Sequence, residues 1–105
     1  MKRDYIRFPV TSRFKVVHVD LVGPLPRSQS GKRWLMTMID RFTRWVEAIP
    51  ISTITTVTLV RTFYTNWVAR YGCPSVVNDQ GAQFTSGSFK RFLNLMGTEH
   101  RLTNA

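Results

Sequence analysis

The chain changes hydrophobic period at its midpoint, and that change restricts it to a small set of folds. Up to Pro50 the apolar residues come in short runs bounded by turn signals. Phe14 to Val22 (FKVVHVDLV) is rich in Val, and Gly23-Pro24-Leu25-Pro26 stops it. Trp34 to Ile39 (WLMTMI) and Trp45 to Ile49 follow, separated by the turn Asp40-Arg41-Phe42-Thr43-Arg44 and ended by Pro50. Such lengths and residue types predict three strands, and their short connections predict an antiparallel meander.

Beyond Pro50 the spacing becomes helical. Val57, Val60, Tyr64, Trp67, Val68 and Tyr71 recur at intervals of three and four, with Thr53 or Thr55 as N-cap and Gly72 as the stop. Ser75 to Asn78 reads as a short strand, parallel to an earlier one because a helix crossover precedes it. A second helix starts near Ser86, with Phe89, Phe92, Leu93 and Met96 on one face, and Thr98 to Leu102 reads as a last strand. The order β-β-β-α-β-α-β is an α/β architecture: a mixed sheet with helices packed on it. A length of 105 residues suits one domain. Residues 1–13, polar and basic, read as an arm or linker before it.

Fifteen Lys and Arg face six Asp and Glu, a net charge of +9. Such an excess favours a polyanionic partner through counterion release, which points to nucleic acid. No apolar run approaches the roughly 18 residues a membrane-spanning helix needs. The basic start has no following apolar segment, so no signal peptide is expected. A single cysteine, Cys73, fits a reducing, intracellular setting, and it reads as a small buried residue. No P-loop, dinucleotide fingerprint or Ser-His-Asp arrangement suggests a small-molecule substrate.

The carboxylates carry the remaining information. Asp20 stands in the most apolar strand, where a lone charge is costly unless paired, hydrogen-bonded or metal-bound. Taken alone, it could equally cap the following turn. Asp79 opens Asp79-Gln80-Gly81-Ala82-Gln83-Phe84 and by itself is good turn chemistry. Together they suggest more. If the fourth strand lies parallel to the first, both stand near the carboxyl ends of neighbouring strands, where ligands of open α/β sheets bind. Two such carboxylates suit Mg²⁺ or Mn²⁺, and in a basic protein that implies metal-assisted attack on a phosphodiester. Asp40 is expected at the opposite strand end in a structural turn role. Glu47 is expected to face outward or pair with an Arg, and Glu99 to lie on the surface. His18 is read as a core or hydrogen-bonded residue. His100 has no partner at ligand spacing, and Trp34, Trp45, Trp67, Phe89 and Phe92 are assigned to the core.

Several of these segments, in order and with matching gaps, resemble integrase catalytic cores of gypsy-type retrotransposons. They are Val17 to Pro26, Met38 to Pro50, Arg70 to Pro74 and Asp79 to Phe84. The likeness runs from about Phe14 to Ala105. It implies an RNase H-like fold and membership of the D,D,E strand transferases, with Asp20 and Asp79 as the first two metal-binding acids. Two Mg²⁺ ions about 4 Å apart would activate a water or a DNA 3′-hydroxyl for attack on phosphorus. DNA would lie against Lys32, Arg33, Gln80, Gln83, Lys90 and Arg91. The setting implied is nuclear, and a homo-oligomer is left open.

The family's third acid is a glutamate further along, on another helix. Here the sole glutamate after Asp79 is Glu99, too early for that role. Residues 14–105 are therefore expected to form a partial core without the final catalytic helix, inactive alone in DNA integration. The alternative is a non-enzymatic remnant that binds nucleic acid or a partner protein.

Overall fold

The computed structural model describes residues 14–26, 31–79, 84 and 87–102; the expected N-terminal arm, Gln80 and Gln83 lie outside them. Five strands form one mixed sheet: β1 (Val16–Val22), β2 (Trp34–Asp40), β3 (Val46–Ile51), β4 (Val76–Asp79) and β5 (Glu99–Leu102). Their spatial order is β3-β2-β1-β4-β5. β1, β2 and β3 pair antiparallel, whereas β4 lies parallel to β1 and β5 parallel to β4. The expected meander with parallel additions is therefore present.

Alternation divides the sheet cleanly. Val17 and Val19 of β1, Met36 and Met38 of β2 and Val77 of β4 share one face and are fully buried. They meet Leu59, Phe63, Trp67, Phe84, Phe89 and Leu93 in a single core. Burying each such side chain contributes about 1.5–3 kcal/mol. None of the residues on the other face, such as Val16, His18, Asp20, Thr37 and Asn78, is buried. Among the described residues no helix is long and apolar enough to cross a membrane.

The segment after β3 folds as α1 (Thr56–Phe63), a π-helical turn (Tyr64–Val68) and α2 (Ala69–Tyr71). Thr55 caps it, its side chain accepting from the Thr58 amide. The buried stripe is Leu59, Phe63 and Trp67, while Val57 and Tyr64 of the expected face are 64% and 51% exposed. Residues four apart drift about 40° around an α-helix, because four steps exceed one 3.6-residue turn. The π turn absorbs an extra residue, so that Trp67 stays over the sheet. Trp67 and Tyr71 then hold Phe14, whose ring stacks on Tyr71 at 4.4 Å. The second helix, α3 (Gly87–Leu95), buries Phe89 and Leu93.

Three further expectations are corrected. β3 runs through Pro50 to Ile51, because an edge strand can turn a residue without an N–H away from its neighbour. Trp45 is 50% exposed; its indole N–H reaches Glu47 Oε2 and Tyr71 Oη, both at 2.8 Å, which anchors the ring at the surface. Cys73 is exposed, since Gly72 at φ 94° swings the chain off the helix. Gly23 closes the top of β1, where a Cβ would meet Arg33 O and the Trp34 ring at 2.8 Å.

Asp40 is fully buried at the end of β2. Its carboxylate accepts from the Phe14 amide at 2.8 Å, the Thr43 amide at 2.7 Å and Thr43 Oγ1 at 2.6 Å. It ties the β2–β3 turn to the start of β1. Asp40→Ala leaves these donors unmet and should cost about 2–3 kcal/mol. Urea unfolding of the variant should show an earlier midpoint, and an unchanged midpoint would remove Asp40 from this role.

Candidate active site

The register of the two central strands decides where the acids lie. Val19 pairs with Asp79, and Asp20 is the next residue of β1. Both carboxylates therefore stand at the carboxyl-terminal end of adjacent parallel strands. Asp40 pairs with Val17 and Glu99 with Val76, which puts both towards the opposite end, while Glu47 pairs with Met38, level with Val19 but two strands away on the edge strand β3. Glu47 there takes Tyr71 Oη at 2.6 Å and Arg70 at 3.2 Å, and these bonds hold its carboxyl below the usual range. Glu99 is exposed and pairs with Arg101 at 2.8 Å.

Asp20 and Asp79 share an end but not a face. Because Asp79 is level with Val19, the pleat sends it into the core face and Asp20 to the other. Asp20 is partly exposed, and its Oδ1 accepts from the Leu21 amide at 2.8 Å. Asp79 is fully buried. Its Oδ2 is hydrogen-bonded to Nε2 of His100, and its Oδ1 is buried without a partner among the described residues. Burial raises the Asp79 pKa above the ordinary carboxylate value. The bond to His100 and the nearby imidazoles oppose this, and the charge of Asp20 adds to it.

His100 reaches Asp79 across strands. It pairs with Val77 in register, so it lies diagonally beside Asp79 on the same face. Its ring stands edge-on to Phe89 at 6.1 Å, and Phe89 stands edge-on to Phe84 at 5.2 Å. Phe84, buried, thus packs against the residue that packs against His100. Spacing along the chain does not reveal this contact. The signal available was alternation in Glu99-His100-Arg101-Leu102, usable only with the parallel register known.

Of the basic candidates, Lys32 and Arg33 precede β2 at the same sheet end as the two acids, and both are exposed. Lys90 and Arg91 are exposed in the first half of α3, the helix that follows the Asp79 loop. Hard oxygen donors and an orphaned, buried carboxylate oxygen fit a divalent cation of the Mg²⁺ type. Among the described residues no three His, Cys, Asp or Glu side chains cluster as a metal site.

Several known proteins are similar to this chain. The integrase core domain family matches residues 11–105. The retrovirus-related Pol polyprotein from transposon 412 of Drosophila melanogaster is 27% identical over 94 residues, covering 83% of this chain and 8% of that protein. The Gag-Pol polyprotein of koala retrovirus is 32% identical over 73 residues, 69% of this chain and 4% of that protein. The chain thus spans a small part of the polyproteins it matches. Among solved structures, the HTLV-2 integrase catalytic core domain in complex with magnesium superposes with a TM-score of 0.73 at 19% identity, covering 84% of this chain and 58% of that one. A chain of the simian T-cell lymphotropic virus intasome in complex with PP2A regulatory subunit B56 gamma gives 0.73 at 17% identity, covering 85% of this chain and 34% of that one. These two likenesses establish the fold, RNase H-like.

The buried charge of Asp79 has a sign that can be measured. With its folded-state pKa raised, stability is fullest where the group is protonated and is lost as pH rises through that value. In EDTA, Asp79→Asn should therefore melt above the wild type at neutral pH, with the gap closing in the acid range. A gap that widens on acidification would contradict this.

Proposed function

The chain belongs to the integrase core domain family, and we propose that Asp20 and Asp79 serve it as the paired metal-binding acids of DNA integration chemistry. What supports this most is the parallel pairing of Val19 with Asp79, which sets two carboxylates at one sheet end beside exposed cations. The group they would hold is Mg²⁺ or Mn²⁺, which when bound supplies Lewis-acid charge at a phosphodiester and acidifies an attacking water or 3′-hydroxyl. Asp79 Oδ1 is the oxygen left over for it inside the fold. Asp20 contributes charge from the partly exposed side.

The remaining residues do the binding. Lys32, Arg33, Lys90 and Arg91 are proposed to take DNA phosphates, which positions the strand without reading its sequence. Gln80 and Gln83, outside the described residues, are proposed to meet the strand from the loop after Asp79. With DNA as the proposed partner, the setting proposed is the nucleus.

The 105 residues by themselves are proposed not to complete strand transfer. Glu99 begins β5, level with Val76 and away from Asp20 and Asp79, so it does not supply a third acid there. A second reading, nucleic-acid binding without catalysis, is favoured by the charge of +9. A strand-transfer assay on this chain with Mn²⁺ and labelled duplex DNA separates the possibilities. The expected result is no joined product, with Mn²⁺ binding weakened about tenfold or more by Asp20→Asn or Asp79→Asn. Product formation abolished by Asp20→Asn would overturn the proposed inactivity. DNA binding with no cation binding at all would favour the second reading.

A further inference from the structure

We propose that His100 is a positioning residue for Asp79: it occupies Oδ2, fixes the turn of the carboxylate, and so presents Oδ1 as the oxygen that meets a divalent cation. This rests on the metal reading of Asp79 and assigns a role to a residue outside the paired acids.

The argument begins with burial. The His100 side chain is 3% exposed and that of Asp79 0%, so no bulk water competes for either group. In such surroundings a hydrogen bond defines which way a carboxylate faces, because rotation about its last bond would trade a made contact for an unmet one. The two oxygens of Asp79 are not equivalent. Oδ2 bonds Nε2 of His100, while Oδ1 is buried and unmatched among the described residues.

The imidazole is itself held. His100 sits in β5, pinned by backbone pairing beside Val77. Its ring lies edge-on to Phe89 at 6.1 Å and 73°, and Phe89 is fully buried between Phe84 and Phe63. The orientation of Asp79 is thus passed from the packing of α3, through one ring, to one oxygen. Leaving a buried carboxylate oxygen unmet carries its full desolvation cost, which a bound cation offsets. Hydrogen bonds that orient a ligating group are typically worth about 10–100-fold in metal affinity.

The test compares three forms of the 105-residue chain: wild type, His100→Leu and His100→Gln. Gln carries an N–H donor at nearly the reach of Nε2, and Leu offers similar bulk with no donor. Mn²⁺ affinity is read by calorimetry and folding by circular dichroism. His100→Leu should bind Mn²⁺ about 10–100-fold more weakly, and His100→Gln should recover most of that loss. A purely structural histidine would shift the melting temperature and leave the affinity of folded protein unchanged. Wild-type affinity in folded His100→Leu, or equal loss in both folded variants, overturns the proposal while the paired-acid reading stands. Absence of Mn²⁺ binding by the wild type overturns both. If His100→Leu does not fold, imidazole ¹⁵N spectra of the wild type decide: the proposal expects the Nε2–H···Asp79 signature to persist when Mg²⁺ is added, and its disappearance would sink it.

Discussion

The parallel pairing of β1 with β4 is the constraint on which the rest of this molecule depends. Four residue pairs, from Val16 with Val76 to Val19 with Asp79, close the sheet around the α1 crossover. They seat Val17, Val19 and Val77 beneath Phe63, Trp67 and Phe89. The same register brings the last residue of β4 level with the approach to Asp20. A slip of one residue would exchange Val77 and Asp79 for Val76 and Asn78 on the core face and remove the acid from its place.

That register also creates the main internal cost. Among the described residues, Asp79 enters the core face with a single hydrogen-bond partner, His100, and one oxygen unmet. Such a group opposes folding to a degree, and sites that give up stability in this way are often those that bind something. Asp40, equally buried, has no such deficit: three donors converge on it, and it organises a turn. The contrast between two buried aspartates at opposite sheet ends separates the structural role of Asp40 from the role proposed for Asp79 better than burial alone.

Much of the architecture was legible in the residues. Short apolar runs with tight connections can pair in few ways, so the β1–β2–β3 meander followed, and the crossover through α1 implied a parallel β4. The apolar stripe of α1 was less legible, since Leu59, Phe63 and Trp67 repeat at four and depend on a π turn that spacing rules do not anticipate. Trp45 and Cys73 went to the surface because a local hydrogen-bond pair and a left-handed glycine outweighed their apolar character. At the candidate site, Asp20 and Asp79 could be named from the chain. The faces they take and the contact with His100, 21 residues from Asp79, required the register between parallel strands.

The central claim is that Asp20 and Asp79, though on opposite faces, act on one cation at the shared strand end. Paramagnetic broadening of ¹⁵N-labelled chain by trace Mn²⁺ tests it directly. The amides of Asp20 and Leu21 in β1 and of Asn78 and Asp79 in β4 should broaden together at the lowest additions, while those of Asp40 and Glu99 remain sharp. Broadening that begins at Glu99 or Asp40, or that reaches Asp20 without Asp79, would contradict the account.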